Sequence, residues 1–163
     1  MTRLRSHHGI YTAALAEFHC LHCQGRITAD PRQAGVQNRN HCPYCLWSRH
    51  VDLARPGDRM AACRAKMQPV GLTLKIGKKK YGPTAQGELM LVHICADCGK
   101  VSINRIAADD DADTILAVLE APVKVDERVQ QRLIENGIQI LRQPDQQIVI
   151  RRLFGGRQPS WAG

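Results

Sequence analysis

Three Cys-x-x-Cys pairs, Cys20 with Cys23, Cys42 with Cys45 and Cys95 with Cys98, use six of the seven cysteines in this 163-residue chain. An odd total argues against a disulfide framework, as does the absence of any secretion signal at Met1 to Ile10, because disulfides need an oxidising compartment. A thioredoxin-like redox pair normally occurs once and opens a helix, so three copies point to metal. Each such turn aims two thiolates at one point, and two turns complete the tetrahedron that structural zinc prefers. Cys20, Cys23, Cys42 and Cys45 stand as C-x2-C-x18-C-x2-C, which falls within the zinc spacing of about 15 to 20 intervening residues. Gly25 and Pro43 suit the tight backbone around such an ion.

The third pair, in CADCGK, supplies two ligands and needs two more. Cys63 is the remaining cysteine, and a histidine would complete a normal Cys3His zinc set. His93 lies two residues before Cys95, and three ligands from one short strand and turn crowd a single ion. His50 is therefore favoured, with His93 the alternative. Two zinc ions are expected. The other reading of Cys63 is a small buried side chain, and that of His93 a hydrogen-bonded strand histidine. His19 and His22 flank thiols that already satisfy the first metal, and His41 is expected to face away from it or to bond a carbonyl. His7 and His8 need no function.

Only seven residues are aromatic, so the large side chains that usually dominate a core are scarce and coordination energy has to help hold the fold. The net charge is +8, and it is unevenly spread: residues 1–100 carry 15 basic and 6 acidic side chains, the rest 8 and 9. Whatever attracts an anion lies in the cysteine-bearing part. No apolar run approaches the roughly 18 residues that would span a bilayer. A soluble, cytoplasmic protein is expected, with no membrane partner and nothing to indicate a homo-oligomer.

Residues 26–40 read as a loop, and Arg55 to Asp58 as a turn around Pro56 and Gly57. Val70, Leu72, Leu74 and Ile76 alternate with smaller or polar residues, and 88–94 is an apolar run of strand length, so the two form a hairpin. The acidic run Asp109, Asp110, Asp111 and Asp113 can cap a helix over Thr114 to Glu120, ended by Pro122. A second helix spans Asp126 to Glu135, with Asn136 and Gly137 as its stop. Residues 138–141 and 147–150, around Pro144 and Asp145, read as another hairpin. The fold class is α+β, with zinc-ribbon-like knuckles and hairpins over 1–108 and a helix-helix-hairpin subdomain with a loose tail over 109–163.

Residues 39–43, Arg-Asn-His-Cys-Pro, run on as RNHCPYCLWSRHVD and then PGDR. This resembles the RNHCP domain family of bacterial proteins. The resemblance covers roughly Phe18 to Asp110, including Cys63, the HICADCG segment and NRIAADD. It implies zinc binding by Cys20, Cys23, Cys42, Cys45, His50, Cys63, Cys95 and Cys98, and it implies little about activity.

Charge and zinc architecture favour a non-catalytic binder of structured RNA, associated with ribosomal RNA or ribosomal proteins. Lys75, Lys78, Lys79 and Lys80 beside Tyr81 form a phosphate-reaching loop, with Arg39 and Arg49 extending the patch and Arg55, Arg59, Arg64 and Lys66 able to widen it. The bland reading of the lysine loop is a solvated surface. The tail cations Arg151, Arg152 and Arg157 with Trp161 could order against RNA. One alternative is a protein adaptor using the near-neutral C-terminal part. Another is a nuclease binding Mg2+ through Asp109 to Asp111, disfavoured because a four-thiolate site leaves no position for a water nucleophile.

Overall fold

The computed structural model describes residues 17–77 and 87–155. A first small sheet pairs β1 (Glu17–His19) with β2 (Arg26–Thr28) across the first cysteine pair. Pro31–Ala34 forms a one-turn helix, α1, capped by Asp30, inside the segment expected to be a loop. The main sheet has four antiparallel strands in sequence order: β3 (Ser48–Arg49), β4 (Lys66–Lys75), β5 (Glu88–Cys95) and β6 (Val101–Arg105). The expected hairpin is β4 with β5. Strand β6 was not foreseen, since Val101 and Ile103 give only a short alternation.

Helices α2 (Ala112–Glu120) and α3 (Glu127–Glu135) form where the capping residues place them. Asp111 accepts from the Thr114 N–H and Asp126 from the Val129 N–H, each satisfying a donor that the helix leaves free. The expected second hairpin is corrected. Gln143–Asp145 is a 3-10 turn with Pro144 in it, running into helix α4 (Gln146–Phe154). The run Ile148, Val149, Ile150 has no period of its own. With Leu153 and Phe154 added, Val149 and Ile150 make a helical face that packs on the core.

The strand pleat gives the sheet two apolar faces. Leu89 and Leu91 of β5, with Leu72 of β4, pack against Ile115, Leu116 and Leu119 of α2 and Val149 and Ile150 of α4. Val92 on the opposite face joins Val70 and Leu133 of α3. The C-terminal helices thus share the sheet's core on both sides. Residues 138–141 lie along β4, where the Leu141 N–H donates to the Leu72 carbonyl at 2.8 Å and the Thr73 hydroxyl to the Gln139 carbonyl at 2.7 Å. Gly71 makes this approach possible: a Cβ there would sit 2.7 Å from Ile140 Cγ2. No helix among the described residues is long and apolar enough to cross a membrane.

Candidate metal centres

The three cysteine pairs share one backbone design. The residue after the second cysteine returns its N–H to the first cysteine's carbonyl: Gln24 to Cys20 at 3.0 Å, Leu46 to Cys42 at 2.9 Å and Gly99 to Cys95 at 3.0 Å. The first cysteine's N–H then reaches the carbonyl of Gly25, Trp47 or Lys100, each at 2.9 Å. Closing the turn this way forces a left-handed residue, and φ is 63° at Gln24, 60° at Leu46 and 67° at Gly99. Gly25, expected to serve the turn, sits one position beyond the strained one. Backbone N–H groups point at the sulfur within the turn, as at His22, 3.3 Å from Cys20 Sγ, which suits a thiolate.

Cys20, Cys23, Cys42 and Cys45 converge into one group and His50, Cys63, Cys95 and Cys98 into a second, with the ligand atoms of each within 4.8 Å of one another. Every cysteine is a free thiol. Cys20 and Cys45 sulfurs are 3.6 Å apart, as are Cys23 and Cys42, and Cys63 and Cys95. His50 Nδ1 lies 3.4 Å from Cys98 Sγ. Zn–S bonds of about 2.3 Å at the tetrahedral angle separate thiolates by about 3.8 Å, so both donor sets fit the ion. Each group could hold one zinc, giving two per chain.

The thiols are unevenly poised. Burial pushes Cys42 and Cys95 up to about 11, and Cys45 well above its ordinary value. The Gly25 backbone N–H holds Cys23 below the usual thiol range. For Cys98 burial acts upward, but the Lys100 backbone N–H and the neighbouring Cys95 and Cys63 outweigh it, so that thiol falls. A divalent cation is what makes a full set of thiolates tenable in so compact a cluster.

His93 is not a ligand of either group. It is fully buried, its Nε2 donates to the Leu46 carbonyl at 2.7 Å, and its Nδ1 accepts from Asn104 Nδ2 at 2.9 Å. Burial and the nearby His41 push it down to about 3, against the opposing bond to Leu46, so the ring stays neutral. His22 stacks on Trp47, ring centres 4.1 Å apart, and Lys66 Nζ lies 5.3 Å over the same Trp47 ring.

A buried ionic network holds the first metal centre to the sheet and α2, and sequence reasoning missed it. Arg39 Nη1 pairs with Asp109 at 2.8 Å and Nη2 with Asp110 at 3.1 Å, while Nε donates to the His41 carbonyl. His41 Nε2 meets the other Asp110 oxygen at 2.7 Å. Side chains of Arg39 and Asp110 have no solvent exposure, so Arg39 is removed from the expected phosphate-facing patch: a guanidinium this enclosed keeps its carboxylates instead. The acidic run divides likewise, since Asp109 and Asp110 bind Arg39 and only Asp111 caps α2. The signal available in sequence was the opposed charge of an arginine-histidine pair and an aspartate pair some 70 positions apart, with nothing local to join them. Of the other expected contacts, Arg49 and Lys75 are exposed, whereas Lys78, Lys79, Lys80 and Tyr81 lie outside the described residues.

A match to the RNHCP domain covers residues 15–116, which include all eight metal-facing residues and the whole Arg39 network. The chain belongs to the RNHCP domain family. No curated protein and no solved structure matches it. The match spans β1 through the first half of α2, so this RNHCP domain includes the sheet as well as the knuckles.

Proposed function

We propose that this RNHCP protein is a non-catalytic, zinc-stabilised binder of structured RNA that works in association with the ribosome. The observation that carries the reading is the basic stretch 49–66, which contains and flanks the second centre's first two ligands, His50 and Cys63. Arg49, Arg55, Arg59, Arg64 and Lys66 are all exposed there, around two aspartates whose charge is spent internally. Asp58 accepts N–H groups from Leu53, Ala54, Arg55 and Met60, which hold its carboxyl well below the usual range. Asp52 accepts from Asn40 Nδ2 and the Arg59 backbone. The loop thus offers cations outward on a backbone pinned by its own carboxylates, an arrangement suited to phosphates. The stacked His22 and Trp47 beside Lys66 add an aromatic surface of the kind on which unpaired bases stack.

Two observations support a binding role over catalysis. Four protein ligands close each metal centre against a water nucleophile. The carboxylates that a Mg2+-dependent nuclease would draw on are engaged, Asp109 and Asp110 by Arg39 and Asp111 by the N–H of Thr114. A protein-adaptor reading has its own support in the groove of about 540 Å³ between α3 and residues 138–142, where Ile134 is exposed.

The test is sedimentation of native lysate at low and high salt, paired with RNA affinity measured against salt for the Arg49→Ala/Arg64→Ala/Lys66→Ala variant. Comigration with ribosomes or a subunit that high salt reduces is expected. Three lost phosphate contacts should flatten the slope of log affinity against log salt by about 2 to 3. An unchanged slope rules this patch out, and a free 18.2 kDa species at both salts removes the ribosome.

A further inference from the structure

Residues 51–62 form a loop whose two ends are ligands of one metal centre, His50 before it and Cys63 after it. None of its side chains joins a hydrophobic core cluster among the described residues. Val51 and Ala61 are buried but bond each other, the Ala61 N–H donating to the Val51 carbonyl at 3.0 Å, while Leu53 and Met60 are exposed. The bonds to Asp58 are internal too, so they set the shape of the turn but not its position against the rest of the chain. Beyond its flanks at 49–50 and 63–65, the loop hydrogen-bonds two of the described residues. Asn40 meets Asp52 and Arg59, and Lys100 Nζ donates to the carbonyls of Asp52 and Leu53. Lys100 belongs to the second centre's own knuckle, where its carbonyl accepts the Cys95 N–H. Of these two anchors, Asn40 alone is independent of that centre. The loop and its flank also hold strain: φ is 55° at both Arg59 and Arg64, a left-handed conformation that non-glycine residues keep only where their surroundings enforce it. Arg64 directly follows the ligand Cys63, and its guanidinium donates to the Arg59 carbonyl at 2.7 Å.

We propose that zinc occupancy of the second centre switches RNA binding: with His50 and Cys63 held together the basic loop presents its arginines in one arrangement, and with them released the loop detaches while the sheet and the first centre stay folded. The coupling rests on the RNA reading above. A segment with few apolar contacts opens locally at low cost, whereas the sheet is packed by α2 and α4 on one face and α3 on the other, and Arg39 secures the first centre. By linkage, RNA raises the zinc affinity of the second centre by the same factor as zinc raises the affinity for RNA. The two ions are thus unequal in role, the first a staple and the second a sensor of free zinc.

The experiment sets free zinc with a metal buffer over the full chain and reads three quantities on the same samples: zinc per chain, amide hydrogen exchange, and affinity for a fluorescein-labelled RNA hairpin by anisotropy. The Cys63→Ser variant supplies the state with the first centre alone loaded; should that variant unfold, the wild-type titration decides. With the second centre empty, the His50 and Ala61 amides, bonded to the Ala65 and Val51 carbonyls at the two ends of the loop, are expected to lose protection, while those of β4, β5 and α2 keep it. RNA should then bind about tenfold or more weakly, with a flatter dependence of log affinity on log salt as phosphate contacts are lost. Saturating RNA should raise the zinc affinity of the second centre by that same factor and leave the remaining site of Cys63→Ser unchanged. Unchanged protection at His50 and Ala61, or loss of protection throughout wild type and variant alike, overturns the switch. If the loop opens but RNA binds equally well with one zinc as with two, the switch falls and the RNA reading stands. No RNA affinity at two zinc ions per chain removes the RNA reading and the switch with it.

Discussion

Replacing Asp110 by alanine tests whether the Arg39 network is structural. Asp110 has no side-chain exposure and accepts from three donors: Arg39 Nη2 at 3.1 Å, His41 Nε2 at 2.7 Å and the Ala107 backbone N–H at 2.7 Å. Its loss leaves an enclosed guanidinium facing Asp109, whose side chain is 39% exposed, and leaves His41 unpaired. Breaking a buried pair from one side costs about 3 to 5 kcal/mol, chiefly as the uncompensated charge that remains. Set against a typical total of about 5 to 15 kcal/mol, that is a large share of the stability. The assay is urea unfolding at fixed free zinc, because the metal contributes by mass action and must be held constant. Asp109→Ala serves as the comparison and should cost about 1 kcal/mol or less, since the half-exposed partner is partly solvated. An Arg39→Met/Asp110→Ala double variant should lose less than the sum of the two single changes, because no charge is then stranded. A cost below about 1 kcal/mol for Asp110→Ala, or one equal to that of Asp109→Ala, would refute the reasoning.

Two further outcomes concern the metal centres. Elemental analysis should give two zinc ions per chain, one after Cys63→Ser and still two after His93→Gln; two zinc ions after Cys63→Ser would contradict Cys63 as a ligand, and one after His93→Gln would contradict the assignment of His50 over His93. The thiols of Cys42 and Cys95, raised to about 11, are neutral at pH 7 without metal, so zinc loading should release about two protons or more per chain. Protons and zinc compete for the same sulfur, so affinity, and the stability linked to it, falls as pH falls. Calorimetric titration at pH 7 in buffers of different ionisation enthalpy reads the release, and no buffer dependence would show that the thiols are already ionised.

What the sequence made legible was chemistry with a fixed local period. Three Cys-x-x-Cys turns and the aspartate caps of α2 and α3 are set by residues within a few positions of one another and appear where their spacing placed them. The alternation at 70–76, by contrast, gave a strand but not its faces: a bulge between Pro69 and Gly71 turns Val70 toward α3 and Leu72 toward α2, and Ile76 lies exposed beyond β4. The fourth ligand of the second centre followed from a steric argument of the same range, because His93 is too close to Cys95. Interactions across long separations left no such mark. Arg39 and Asp110 are 71 residues apart, and the helix over 146–154 depends on a sheet face that Val149 and Ile150 meet only after folding. There tertiary packing chose helix over strand for a short apolar run whose own sequence favours neither.

The pentapeptide of the family's name takes on a different meaning in this light. All five residues, Arg39, Asn40, His41, Cys42 and Pro43, are buried. Arg39 and His41 grip the aspartates ahead of α2, and Cys42 faces the first metal. The Pro43 carbonyl accepts the Asp111 N–H at 3.0 Å. Asn40 faces the other way, donating to Asp52 at 2.8 Å and accepting from Arg59. It thereby connects the strut to the basic loop flanking the second centre. Read physically, these five residues form a strut that fixes the first zinc knuckle, the α2 cap and the basic loop relative to one another, and none of them is free to touch a partner. The RNA contact proposed above therefore falls to side chains that the strut positions without containing, and the exposed arginines of residues 49–64 are the groups it places most directly.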